Sequence, residues 1–439
     1  MKNLFYKEGS YEEFINSYKD INNIDLLDSV KNQVSLILDE IKVSKDNALI
    51  AFSKKYDNYD CTSINELIYS KEDFKKAFDS CDPKIVSALE YLKQRILKFH
   101  SEIPISNWKV NDDAFNTYGQ INRPIKRVGL YAPGGTAVYP SSILMTSVLA
   151  SLAGVEEVML AFPPSDIEIT NLMLATAHIG GVTEAIGIGG AQSIGAMAYG
   201  TESIKKVDKI FGPGNQYVAE AKRQVYGLVG IDSLTGPSEV MIIADKSANP
   251  EFIAADLLAQ AEHGANSACH LIVIEKGVKE YVLESLEIQL KNTIRSAMAR
   301  ESLSKYSYLI EVQDIKDAEK ICNLIHPEHL QIAIENINDI NLENFSAGAI
   351  FAGTTNSAVF GDYCAGPSHV IPTNGASRFS SQVSLRDFYV TSSFSKIAEN
   401  FDSDELDKVI DNSIEIAELE GLYAHAEALR LRKNKLSSN

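Results

Sequence analysis

The chain is short of cysteine and has no pair of them in a CxxC. Cys61, Cys81, Cys269, Cys322 and Cys364 are scattered and odd in number, which excludes a disulfide framework and a cysteine zinc knuckle. Basic residues are in deficit: 41 Lys and Arg face 59 Asp and Glu, a formal charge of −18. That balance argues against nucleic acid, polyphosphate partners and anionic membranes, and favours a protein that handles small molecules. Long apolar runs are lacking too. The most apolar stretch, 143–155, is interrupted by Thr146, Ser147 and Ser151 and is too short to span a bilayer. The opening residues, Met1-Lys2-Asn3-Leu4-Phe5-Tyr6, turn polar too soon for a signal peptide. The expected compartment is a reducing cytoplasm. Internal repeats and low-complexity tracts are absent.

What is present is an ordinary globular balance. The 439 residues are 45% hydrophobic and 23% charged, enough for a large core in two or three domains. Residues 1–105 read mostly as helix. Leu26, Val30, Val34, Ile37, Leu38 and Ile41 make one apolar stripe. Phe74, Phe78, Ile85, Leu89, Leu92 and Ile96 make another, broken by Asp82-Pro83. From Arg127 short apolar strands alternate with helices. Strands are expected over 128–131, 155–162, 184–188, 209–211 and 240–244, with helices over 141–153, 167–179, 191–198 and 215–226 between them. A second series adds strands at 270–275, 308–312 and 349–352 and helices from Pro250 and over 315–325. This alternation implies parallel sheets with right-handed crossovers. The expected class is α/β, with two doubly wound, incomplete Rossmann-like domains and helical N-terminal and C-terminal extensions.

Ligands of open α/β sheets bind beyond the carboxyl ends of strands. Three such ends are glycine-rich: Tyr131-Ala132-Pro133-Gly134-Gly135-Thr136, Gly187-Ile188-Gly189-Gly190-Ala191-Gln192 and Phe211-Gly212-Pro213-Gly214-Asn215. None completes a G-x-G-x-x-G, and tight βα turns would read the same way. Three in succession tilt the balance towards a dinucleotide, whose phosphates favour helix N-termini approached closely by backbone.

Six of the eight histidines lie at or after position 263. In Leu257-Leu258-Ala259-Gln260-Ala261-Glu262-His263-Gly264, a helix begins at Asn249-Pro250 and ends with Gly264 as its cap. Gln260 and His263 share a face at its end, where an amide oxygen and a neutral imidazole can hold a divalent metal. The helix dipole alone would also favour a histidine there. His326-Pro327-Glu328-His329-Leu330 offers an adjacent acid and imidazole for proton transfer, on an ordered turn or a new strand. In Gly361-Asp362-Tyr363-Cys364-Ala365-Gly366-Pro367-Ser368-His369, Asp362 is a candidate carboxylate ligand and His369 a substrate contact, although Asx-turns commonly use such an Asp. Cys364 reads as a small packed residue. From Thr373 a Ser-rich stretch reads as a linker into a terminal helical segment carrying Glu420-Gly421-Leu422 and His425, which simple solvation would also explain.

Taken together, the order and wording of these segments resemble the histidinol dehydrogenases. The match runs from about Arg123 to about Arg432. It includes Val128-Gly129-Leu130-Tyr131-Ala132-Pro133-Gly134-Gly135, Gly189-Gly190-Ala191-Gln192, Lys209-Ile210-Phe211-Gly212-Pro213-Gly214-Asn215 and Gly236-Pro237-Ser238-Glu239-Val240, besides the Gln260, Glu328, Asp362 and Glu420 segments. The helical N-terminal third matches only loosely. The resemblance implies oxidation of L-histidinol to L-histidine through the aldehyde, with two NAD+ reduced in sequence and one zinc ion per subunit. It implies Gln260, His263, Asp362 and His425 as zinc ligands, Glu328 and His329 as the acid–base pair, Ser238, His369 and Glu420 as substrate contacts, and Tyr131, Gln192 and Asn215 as cofactor contacts. The zinc ligands and His329 would also meet the substrate. It further implies a homodimer with sites shared between subunits. The expected divisions are an arm over 1–25, a substrate and zinc domain over 26–125 with 236–372, an NAD domain over 126–235, and a helical tail over 373–439. Two other readings compete: a dehydrogenase of the same fold acting on another polar alcohol, and a zinc hydrolase in which Glu328 activates water. A non-catalytic NAD-binding or metal-storage protein is disfavoured by the adjacent acid and imidazole.

Overall fold

The computed structural model describes residues 4–17, 28–134, 138–234, 236–274, 277–397 and 404–436; Leu26, Gly135 and Thr136 lie outside them. The chain divides into two compact units, residues 1–102 with 126–387, and residues 103–125 with 388–439. The first holds β1 (Lys7–Ser10), α1 (Tyr11–Ser17) and α2 (Asp28–Tyr56). Along α2 the stripe Val30, Val34, Ile37, Leu38 and Ile41 is buried, and the helix breaks at Lys45, whose φ is 47°. After β2 (Ile68–Tyr69) come α3 (Lys71–Ser80) and α4 (Pro83–His100). Asp82 accepts from the Lys84 N–H and Pro83 opens α4, so the break in the second stripe is a helix start. β3 (Trp108–Val110) and β4 (Thr117–Pro124) belong to the second unit.

The first sheet uses β5 (Arg127–Tyr131), β6 (Glu157–Phe162), β7 (Glu184–Gly187), β8 (Lys209–Phe211) and β9 (Gly230–Ile231). Its order is β2-β7-β6-β5-β8-β9, parallel except for β2. Helices α5 (Pro140–Ala153), α6 (Ile167–Gly180), α7 (Gly190–Tyr199) and α8 (Gln216–Val225) cover its faces, which is why these strands read as unbroken apolar runs. The winding reverses between β5 and β8, the doubly wound switch point.

The second sheet repeats the plan with β10 (Glu239–Ala244), α9 (Pro250–Ala261), β11 (Ala268–Ile274), α10 (Val278–Asn292), α11 (Ser296–Tyr306), β12 (Tyr308–Val312), α12 (Ile315–Ile325), β13 (His329–Ala333), β14 (Ala349–Ala352) and α13 (Ala358–Tyr363). Its order is β1-β12-β11-β10-β13-β14, with every pairing parallel. Its switch point lies between β10 and β13. Two doubly wound sheets are therefore present, as the alternation implies.

Three local expectations change. Residues 28–100 pack chiefly with the helices of the first sheet rather than with 236–372: the α2 stripe joins the core of α7 and α8, and Ser35 donates to Gln224 of α8 at 3.0 Å, while α4 reaches the other segment through Arg95, which donates to the Cys364 carbonyl at 2.8 Å. Within the expected arm, β1 instead adds a strand to the second sheet. The stretch after Thr373 is more than a linker. In the second unit β15 (Tyr389–Lys396) pairs antiparallel with β4, followed by α14 (Asp404–Leu419) and α15 (Tyr423–Leu436). Among the described residues no helix is long and apolar enough to cross a membrane.

Candidate active site

A cleft of about 860 Å³ opens in the first unit. One wall comes from the carboxyl ends of β5 and β8, through Pro133, Gly134, Pro213, Gly214 and Asn215. The facing wall comes from the amino ends of β10 and β13, through Ser238, Glu328 and His329. The two switch points thus face one space with opposite polarity. The carboxyl-end rule holds for the first sheet only. The second sheet presents its chemistry at strand starts, because α9 runs back along the sheet and delivers His263 to the same end.

Glu328 and His329 stand at the start of β13, which pairs with β10 so that Val240 lies opposite His329. Glu328 is buried, and its Oε2 accepts from the Glu239 N–H at 2.8 Å. Burial raises its pKa, opposed by the neighbouring His329 and by hydrogen bonds from Glu239 and Ser238. The His329 Nδ1–H donates to the Glu239 carbonyl at 3.0 Å. That bond fixes the tautomer and leaves Nε2 basic. Nε2 is buried without a hydrogen-bond partner. The backbone of one residue, Glu239, therefore orients both members of the pair: its N–H engages the acid and its C=O the imidazole.

Gln260 and His263 do share an end of α9, with Gln260 Nε2 3.1 Å from His263 Nδ1. The helix is shorter than expected. It ends at Ala261 with Glu262 as its cap, so Gly264 lies in the turn beyond. Burial lowers the His263 pKa, and Asp362 opposes the shift. Asp362 sits in α13 rather than in an Asx-turn. Asp256 ties these pieces together. It accepts from the Ser357 hydroxyl and from the Gln331 amide, each at 2.7 Å, linking α9, β13 and the N-cap of α13. His369 is held at both nitrogens. Its Nδ1–H donates to the Asp362 carbonyl at 3.1 Å, and Nε2 accepts from the Ser142 hydroxyl at 3.0 Å.

Among the described residues no group of three or more His, Cys, Asp and Glu closes around a metal position. His263 and Asp362 line the cleft and interact, and Gln260 lies buried against His263; an amide, an imidazole and a carboxylate are donor types suited to a borderline metal. Glu420 and His425 lie in the second unit, exposed, at the end of α14 and on α15.

At the glycine-rich turns of the first sheet, Tyr131 and Gln192 are buried beside Asp57. The Tyr131 hydroxyl accepts from the Gly190 N–H at 3.2 Å, and burial pushes its pKa up to about 12. Asp57 accepts from the Gly189 N–H and from Gln192 Nε2, both at 3.3 Å. The protein's own carboxylate thus occupies the N-terminus of α7, where the second glycine-rich turn suggests a phosphate. Asn215 is exposed on the cleft and caps α8 through the Tyr217 and Val218 N–H groups. Asp57, Ser142, Asp256 and the Glu239 backbone escape the sequence reading. Their partners lie 75 to 227 residues away along the chain, and none carries a spacing signal.

Two doubly wound sheets closing one cleft over a buried acid–imidazole pair define an α/β enzyme. Comparison with known proteins narrows the class. The histidinol dehydrogenase family model matches residues 22–433. Histidinol dehydrogenase of Listeria innocua is 39% identical over 424 residues, covering 97% of this chain and 98% of that protein. That of Bacillus cereus is 41% identical over 405 residues, covering 92% and 93%. A crystal structure of histidinol dehydrogenase from Elizabethkingia anophelis superposes with a TM-score of 0.91 at 34% identity, covering 100% of both chains. The chain belongs to the histidinol dehydrogenase family and is an oxidoreductase of histidine biosynthesis.

Proposed function

We propose that this chain oxidises L-histidinol to L-histidine through L-histidinaldehyde with two NAD+, and that Glu328 and His329 serve both steps. The observation that carries the reading is the buried, unpartnered Nε2 of His329 on the wall of the cleft, in a tautomer set by the Glu239 carbonyl. Bound NAD+ would supply the hydride acceptor, and bound zinc would anchor the imidazole and amine of the substrate. His329 Nε2 takes the hydroxyl proton as the alcohol becomes an aldehyde. Glu328, whose pKa burial raises, takes a proton from the water that adds to the aldehyde. His329 returns its proton to the aldehyde oxygen as the water adds, and the hydrate then loses a hydroxyl proton to His329 and the second hydride to NAD+, giving the acid. Ser238 and His369 would hold the substrate beside the pair.

Gln260, His263 and Asp362 would hold the zinc, with His425 completing the set from a second copy of the chain in a homodimer and Glu420 beside it. The nucleotide would lie against residues 126–235 near Tyr131, Gln192 and Asn215, at the switch point between β5 and β8. A zinc hydrolase would leave that glycine-rich crevice without a role. Titration with NAD+, followed by NADH formation across a panel of polar alcohols with and without added zinc, tests the reading. NAD+ binding with turnover of L-histidinol alone is expected. Hydrolysis without NAD+ binding, or equal turnover of unrelated alcohols, counts against it.

A further inference from the structure

Beneath the third glycine-rich turn lies an ion pair withdrawn from water. Lys222 of α8 and Asp232, just past β9, are each 1% exposed at the side chain and bond directly to one another. Burying two charges is costly, and an apolar pair of similar volume commonly serves stability as well or better. The remaining bonds of this pair suggest what it does. Asp232 Oδ2 accepts from the Gly212 N–H at 2.8 Å, and Lys222 Nζ donates to the Gly212 carbonyl at 3.0 Å. Both polar groups of one residue are therefore held by opposite ends of one ion pair. Gly212 has φ +119°, a conformation that L side chains rarely adopt, and a Cβ there would collide with the Tyr131 carbonyl oxygen. Its backbone is thus pressed against the end of β5 at the switch point. The next three residues, Pro213, Gly214 and Asn215, line the cleft.

We propose that Lys222 and Asp232 are positioning residues for the nucleotide: they fix the Gly212 backbone and so set the shape of the cleft wall at Pro213–Asn215. The inference rests on the nucleotide reading above. Neither side chain lines the cleft, so the effect passes through the backbone of the turn. Binding of the dinucleotide then depends on the pair, whereas His263 and Asp362 line the cleft from elements of the second sheet and do not depend on it.

The test uses the full-length, zinc-loaded protein and three calorimetric titrations with NAD+. The K222M/D232L variant removes both charges together and leaves no lone buried ion, but leaves both polar groups of Gly212 unheld. The K222Q/D232N variant keeps a donor and an acceptor without charge. The first should weaken NAD+ binding tenfold or more and raise the KM for NAD+ in step. Its zinc content, histidinol affinity and kcat at saturating NAD+ should stay within about threefold. The second should bind NAD+ within about threefold of the parent. A folded K222M/D232L protein with parental NAD+ affinity, or a K222Q/D232N protein weakened tenfold, overturns the proposal. Should K222M/D232L fail to fold, K222Q/D232N alone decides by the same limits. Failure of the parent itself to bind NAD+ would overturn the nucleotide reading instead.

Discussion

Replacing Glu328 with Gln should separate the two oxidations. The amide keeps the volume of the side chain and an oxygen that can accept from the Glu239 N–H, now 2.8 Å from Oε2, and from Ser238. The variant should therefore fold normally. What it loses is a base. A positioned general base contributes about 10²–10⁴ in rate, so turnover of L-histidinaldehyde, which needs water activated, should fall by about that factor. The alcohol step should suffer less. His329 owes its tautomer to the Glu239 carbonyl at 3.0 Å, whereas the Glu328 carboxylate stands 3.6 Å from the same nitrogen. A loss of under about tenfold in single-turnover oxidation of L-histidinol is expected, since the base of that step is untouched. Single-turnover NADH formation, started in parallel from the alcohol and from the aldehyde, reads both. Near-normal oxidation of the aldehyde by Glu328→Gln would remove Glu328 from water activation.

The complementary change, His329→Asn, should slow the alcohol step by about 10²–10⁴ while leaving NAD+ affinity unchanged; a parallel loss of NAD+ binding in titrations would contradict the assigned role. Acid stability should track two histidines outside the cleft, His100 and His270, whose pKa values burial lowers to about 4. Both are neutral in the folded chain, so the unfolded chain takes up protons first as pH falls. Their stabilisation is complete above about pH 6.5 and is lost towards pH 4, by at most about 3 kcal/mol each. Urea unfolding at pH 7.5 and 4.5 measures this, and an equal drop in a His100→Leu variant would argue against His100 as a source. Mixing inactive His263→Ala and His425→Ala subunits should restore activity to up to about half the sites of mixed dimers if His425 acts across an isologous interface. No recovery after proven subunit exchange would place His425 in its own subunit's site or outside the metal set.

The legible parts of the fold share a physical cause. β8, β12 and β14 keep the limits the sequence suggests, because parallel strands covered on both faces are short apolar runs stopped by glycine or helix starts. α4 is legible from Asp82-Pro83. β15 is not: it is largely solvent-facing and rich in Ser and Thr, so its hydrogen bonds to β4, not its composition, make it a strand. The packing of α2 on the first sheet is equally hidden, since an apolar stripe says that a helix is buried but not against what. The chemistry shows the same division. Gln260 with His263 and Glu328 with His329 stand out as local pairs. Asp57, Asp256 and Ser142 act through partners 101 to 227 residues away along the chain, and only folding brings them together; the Lys222–Asp232 pair is local, but its spacing of ten carries no signal of its own.

The most direct measurement is the stoichiometry of the purified protein with L-histidinol and excess NAD+, following NADH, histidine and free aldehyde together. With one acid–base pair serving both steps, two NADH should appear for each histidine, with no free aldehyde accumulating. One NADH per histidinol consumed, with histidinaldehyde building up in solution, would contradict the account.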